Sequence, residues 1–162
     1  MNINITTLTE NTATRNFMAE WGLSILIEAD NKRILLDTGA GFSAIYNAHL
    51  AGIDFRTIDL IVLSHGHFDH TGGLKDILAR RNKAIDIIAH PSIWDAKYSI
   101  RENNKQYIGI PFTREQLEGL GARFILSSEP VWITENIATS GEVPFLTGYE
   151  ETDQSLYKLE NN

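Results

Sequence analysis

Three imidazoles and a carboxylate fall within six residues of this chain, in His65-Gly66-His67-Phe68-Asp69-His70. Imidazole nitrogen and carboxylate oxygen are the ligands that Zn²⁺ accepts in catalytic sites, and they also suit iron or manganese. His65 and His67, two apart in extended backbone, project to the same side and can grip one ion. Gly66 between them allows a close backbone turn. Asp69 and His70 lie beyond that turn, a placement that suits a second ion beside the first better than a fourth position on the same one. Two ions a few ångströms apart clamp a bridging hydroxide, which is a nucleophile at neutral pH. Composition alone would produce this pattern in about 3 of 10,000 such chains.

The motif begins just past Ile58 to Leu63, an almost wholly apolar run that reads as a strand buried on both faces. Open α/β sheets place their ligands there, beyond the carboxyl ends of strands. The rest of the chain alternates strand-like and helix-like segments. Ile3 to Leu8, Leu23 to Ala29 and Lys32 to Asp37 read as strands, the last two joined by a tight turn at Asp30-Asn31. Phe42 to Ala51 is a short helix ending at Gly52. Leu74, Ile77 and Leu78 recur at helical spacing, with Arg80-Arg81 where the helix dipole favours cations. Ile85 to Ala89 is a buried strand ended by His90-Pro91. Thr113-Arg114-Glu115-Gln116 is a capping box opening a helix that stops at Gly119. Ala122 to Ser127 is a strand, Val131 to Ser140 a hairpin through Glu135-Asn136, and Ser155 to Glu160 a last strand. The whole, residues 1–162, is one α/β domain with a mixed sheet.

Composition narrows the function classes. Net charge is −7, from 14 basic and 21 acidic residues, which argues against a nucleic-acid or anionic-membrane partner. No cysteine is present, so disulfides, thiolate metal sites and cysteine nucleophiles are excluded. The apolar stretches are too short to span a bilayer. The start of the chain lacks the basic and apolar pattern of a signal peptide, which gives a cytoplasmic expectation.

Leu63-Ser64-His65-Gly66-His67-Phe68-Asp69-His70-Thr71-Gly72-Gly73-Leu74 resembles the signature of the metallo-β-lactamase superfamily, and Leu35-Leu36-Asp37-Thr38-Gly39 resembles its second landmark. His90-Pro91, Gly109 to Thr113, Leu126 to Pro130 and Thr139 to Pro144 resemble one subgroup. That subgroup is named for the enzyme joining a pterin to ribofuranosylaminobenzene 5′-phosphate, and it also holds bacterial members described as metal-dependent hydrolases. The resemblance implies an αββα sandwich, with His65 and His67 on a first ion and Asp69 and His70 on a second. Asp69 would also orient or deprotonate the attacking water. Asp37 would be the carboxylate behind the ligands that orients the loop; a turn cap before Gly39 is its plainer role. His90 either lines the cleft or only packs under Pro91. His49 reads as a surface residue. Tyr98, Arg101 and Tyr107 lie in a lid-like insert. The implied cofactors are two divalent ions, Zn²⁺ first, with iron or manganese as alternatives. The implied activity is hydrolysis of an ester or phosphodiester-type small-molecule substrate. The alternatives are a binding module or split-enzyme subunit that has lost catalysis, and a pterin-related synthase.

The chain departs from that family in one respect. The family's third histidine, bridging aspartate and last histidine come from its second half, whereas here no histidine follows His90 and the last aspartate is Asp153. The expectation is therefore the N-terminal half of the sandwich, with an exposed apolar sheet face. That face would drive self-association or pairing with a complementing C-terminal half.

Overall fold

The computed structural model describes residues 2–102, 104–151 and 153–159. Six strands form the main sheet in the order β1-β2-β3-β4-β5-β8: β1 (Ile3–Thr9), β2 (Ser24–Ala29), β3 (Lys32–Leu36), β4 (Leu60–Val62), β5 (Ile85–Ala89) and β8 (Ala122–Leu126). The first three pair antiparallel and β3, β4, β5 and β8 pair parallel. The sheet is mixed, as the hairpin-then-crossover pattern implies. Asp30 and Asn31 both take left-handed φ, 52° and 57°, so the β2–β3 connection is a two-residue turn whose twist matches its strands.

Side-chain alternation decides which face is core. Leu26, Leu35, Ile61 and Ile87 point to one face and are fully buried. They join a single cluster with Ala44 and Ala48 of α1 (Phe42–Leu50) and Leu74, Ile77 and Leu78 of α3 (Leu74–Arg81). Arg81, at the end of α3 where the helix dipole favours a cation, is buried. Its Nη1 donates to the carbonyls of Phe55 and Arg56, both at 3.0 Å. Glu20 supplies what α1 lacks in its own sequence, accepting from the backbone N–H groups of Ala40, Gly41 and Ser43.

On the opposite face, Ile34, Leu60 and Ile88 are 3%, 8% and 5% exposed, so the expected open face is restricted to the margins. Residues 131–140 fold back across the middle of the sheet. Asn136 Nδ2 donates to Asp30 Oδ2 at 3.3 Å, and Ile133 and Ile137 face the same cleft as Ile27, Leu36, Val62 and Ile88. Ile3, Ile5 and Ile125 at the margins stay exposed. Residues 131–140 form the expected hairpin through Glu135-Asn136, with Thr139 N donating to Val131 O at 2.9 Å. A single bridge joins Trp132 and Ala138, and Ile137 O accepts from the N–H groups of both Ile133 and Thr134. Strand β4 is also shorter than the apolar run that foretold it, although Asp59 N still donates to Arg33 O and Leu63 N to Ile88 O.

A second, three-stranded antiparallel sheet has the order β7-β6-β9: β6 (Ala96–Arg101), β7 (Asn104–Tyr107) and β9 (Leu156–Leu159). It contains Tyr98, Arg101 and Tyr107, so the lid-like insert is regular structure. Of the last strand expected from sequence, Glu160 lies outside the described residues. Helix α4 (Arg114–Gly119) opens on the capping box of Thr113 and Gln116. Among the described residues no helix is long and apolar enough to cross a membrane.

Candidate metal centre

The histidine-rich loop leaves β4 at Leu63, whose N–H donates to Ile88 O at 2.9 Å. Gly66 then passes so close to residues 91–94 that a Cβ there would stand 2.2 Å from the Ile93 carbonyl oxygen. His67 opens the short helix α2 (Phe68–Thr71), its carbonyl accepting from the N–H groups of His70 and Thr71 and from Thr71 Oγ1. Asp69 and His70 therefore sit on a helical turn, offset from the extended His65 and His67. The loop is stitched to its neighbours through the backbone, Thr38 N donating to His70 O at 2.8 Å and Leu23 N to Asp69 O at 3.3 Å.

Asp37 organises this loop from behind. It is fully buried and takes a left-handed φ of 56°. Its Oδ1 accepts from Ser64 N at 2.8 Å, and its Oδ2 accepts from Ser64 Oγ at 2.6 Å and pairs with His70 Nδ1 at 2.7 Å. A buried carboxylate can only accept, so His70 carries its proton on Nδ1. Ser64 Oγ has given its hydrogen to Asp37, so at 2.9 Å it accepts from His65 Nδ1. The network thus assigns the tautomer of both rings, leaving both Nε2 lone pairs free. Asp37 is more than the turn cap considered from sequence.

The rings stand close together, His65 to His67 at 4.5 Å and His65 to His70 at 4.1 Å between centroids. Asp69 Oδ2 lies 3.6 Å from His70 Nε2. Burial pushes the His65 pKa down to about 4, helped by His70 and His67. Burial likewise lowers that of His67. Burial opposes a charge on His70 too, but the hydrogen bond it donates to Asp37 and the charges of Asp37 and Asp69 outweigh it and raise the pKa. The loop thus offers neutral nitrogen donors at one end and favours positive charge at the other.

Neutral imidazoles with free Nε2 lone pairs beside a carboxylate fit a divalent ion by donor chemistry. The set is partial. Among the described residues no three His, Asp or Glu side chains are already grouped to hold one ion.

Two hollows meet at the loop. A cleft of about 780 Å³ includes His65, Gly66, His90 and Lys97 in its wall. A smaller one, about 260 Å³, is walled by Asp69, His70 and Trp21. His90 therefore stands in the wall of the larger cleft. His49 is exposed at a separate hollow on the α1 side. Asp153 is exposed and pairs with Arg101 at 3.8 Å. Sequence reasoning missed Ser64, whose one signal was its place between Asp37's strand partner and His65. It also missed Lys97, whose Nζ donates to the carbonyls of Ser92, Ile93 and Asp95 at 2.9–3.1 Å. Burial lowers the Lys97 pKa.

The family model of the metallo-beta-lactamase superfamily matches residues 22–149. A 7,8-dihydropterin-6-methyl-4-(beta-D-ribofuranosyl)-aminobenzene-5′-phosphate synthase of Methanocaldococcus jannaschii is 39% identical over 171 aligned positions, covering 99% of this chain and 58% of that protein. A second, uncharacterised protein of the same organism is 36% identical, covering 88% and 54%. Among solved structures, a metal-dependent hydrolase of the beta-lactamase superfamily superposes with a TM-score of 0.72 at 24% identity, covering 99% of this chain and 55% of that one. The chain spans little more than half the length of the curated relatives it matches.

Proposed function

The chain belongs to the metallo-β-lactamase superfamily, and from that premise we propose that it is a metal-dependent hydrolase acting on an ester or phosphodiester-type small molecule. The observation that supports this reading is the network of buried Asp37 with Ser64, which leaves the Nε2 lone pairs of His65 and His70 free to ligate. In this proposal His65 and His67 hold one divalent ion and Asp69 and His70 a second, Zn²⁺ first, with iron or manganese as alternatives. Ions bound there would supply Lewis-acid activation of a water and of the electrophile. Asp37 keeps both rings in register. Asp69 Oδ2 orients the attacking water and receives its proton. The substrate lies in the cleft that His65 and His90 share. The remaining ligands belong to a complementing second half, on this or another polypeptide, and the site works when the two are together. A pterin-related synthase is the second reading, supported by the 39% identity to the Methanocaldococcus jannaschii enzyme.

Elemental analysis tests the proposal. The purified protein, alone and mixed with a second-half polypeptide of a relative, should gain divalent metal on completion. His67→Ala and Asp69→Ala should each abolish tight binding in the completed form. Unchanged metal stoichiometry and hydrolysis in both variants would refute the assignment.

A further inference from the structure

Three segments singled out in the sequence play no part in the metal loop: His90-Pro91, Leu126 to Pro130, and Thr139 to Pro144. The structure brings them together at the far wall of the 780 Å³ cleft. Ser127 N donates to Ala89 O at 3.0 Å, next to His90. Glu142 N donates to Ser128 O at 2.8 Å. Gly141, at a φ of 69°, lets that approach happen; a Cβ there would stand 2.6 Å from the same Ser128 oxygen. Glu142 is thereby held with its Oε2 3.6 Å from His90 Nε2.

The state of His90 follows from Ser92. The backbone N–H of Ser92 donates to His90 Nδ1 at 3.1 Å, and its hydroxyl lies 2.7 Å from the same atom. A backbone N–H can only donate, so Nδ1 is an acceptor and the ring proton of neutral His90 resides on Nε2. That Nε2 is buried and has no hydrogen-bond partner; the 3.6 Å to Glu142 is beyond hydrogen-bond range. A fixed N–H donor and a carboxylate acceptor thus stand side by side, each with capacity unused.

We propose that His90 and Glu142 form a donor–acceptor pair that anchors a substrate through a neutral amide-type edge, its carbonyl accepting from His90 Nε2 and its adjacent N–H donating to Glu142. This rests on the reading of the cleft beside His65 as the substrate site, and it adds the substrate class. The walls agree with it. Ile27, Leu36, Val62 and Ile88 on the sheet, with Ile133 and Ile137 from residues 131–140, suit a flat apolar body behind that edge. The carboxylate of Glu142 repels a phosphoryl group, so any anionic part of the substrate points away from it, towards His65 and Lys97. The edge is an anchor and is not the bond that breaks.

Histidine-¹⁵N NMR on the full chain, treated with a chelator, tests this independently of any metal. Long-range ¹H–¹⁵N spectra at pH 7.5 should show His90 protonated on Nε2. Titration with 2-pyridone, which carries a carbonyl beside an N–H, should shift that Nε2 resonance saturably. N-methyl-2-pyridone, which lacks the N–H, should bind at least tenfold more weakly. Glu142→Gln should weaken 2-pyridone at least tenfold while leaving the His90 tautomer unchanged. A proton on Nδ1, no saturable shift, or equal binding of the two pyridones or of the variant would overturn the proposal. The metal reading stands or falls separately, on the elemental analysis.

Discussion

Replacing Asp37 by asparagine removes a buried charge and leaves size and backbone nearly untouched, since asparagine tolerates the left-handed φ of 56° found there. The amide oxygen can still accept from Ser64 N. The amide NH₂ must face Ser64 Oγ and His70 Nδ1, both of which can become acceptors, the hydroxyl by rotating and the ring by moving its proton to Nε2. Three hydrogen bonds of 2.6–2.8 Å to a carboxylate thus become neutral ones. At roughly 1 kcal/mol lost for each of two charge-assisted bonds, the variant should be destabilised by about 1–3 kcal/mol. Alanine is worse. It takes the carboxylate away from half-buried His70 Nδ1 and from Ser64 N and Oγ, and adds a penalty of roughly 1 kcal/mol for a left-handed alanine, so about 2–4 kcal/mol is expected. The functional consequence is of similar size. A proton moved to His70 Nε2 removes the lone pair facing Asp69, and metal affinity should fall by about 10–100-fold or more. Urea unfolding in chelator gives the stabilities, and competitive metal titration of the completed protein gives the affinities. An Asp37→Asn protein that keeps its metal affinity would refute the tautomer argument. An alanine variant as stable as the asparagine one would refute the account of the buried network.

Gly66→Ala places a methyl 2.2 Å from the Ile93 carbonyl oxygen and should cost about 3 kcal/mol or more in urea unfolding; Gly119→Ala in α4 meets nothing within 4 Å and should be neutral or slightly stabilising. In the metal-free chain, His65 titrates near 4 when folded and near 6.5 when unfolded, so the unfolded state binds more protons between those values. Its contribution to stability is full above the unfolded value and falls as pH drops from about 6.5 towards 4. His67 acts in the same direction. The raised pKa of His70 acts oppositely, its contribution being present below 6.5 and lost as pH rises through the folded value. Chemical denaturation from pH 8 to 4, with and without His65→Asn, should therefore show a shallower acid slope in the variant; an unchanged slope would contradict the burial of that ring.

The metal loop was legible because its chemistry is local, four donors in six residues set beyond an apolar strand. Asp37 was legible through the family resemblance of Leu35 to Gly39, whereas spacing alone made it one acidic residue before a glycine. Its grip on Ser64 and His70 spans 27 and 33 positions of chain and depends on a left-handed backbone that no periodicity announces. His90 with Glu142 was out of reach for the same reason, since the two are 52 positions apart and meet through Ser128. Residues 131–140 turn back through Glu135-Asn136 as their turn residues announce; their use as a cover was not legible, and it follows from Ile34, Leu60 and Ile88 having apolar surface to bury with no second large sheet among the described residues to bury it. Arg81 followed the rule for helix ends in sequence, and the carbonyls of Phe55 and Arg56 claimed it in space.

The backbone stitching of the loop has a consequence for the order of assembly. Leu23 N, Thr38 N and the Asp37 carboxylate all come from the β2–β3 hairpin or its flanks, and they grip a segment that follows β4. The hairpin is a local contact that closes early, whereas β3 meets β4 in parallel across a helical crossover, a slower event. The loop is shaped when that pairing completes, by protein groups alone. An ion would then arrive at donors already shaped, unlike the small zinc domains whose metal drives folding. Stripping the metal should leave amide exchange in residues 63–73 as slow as in the sheet beneath.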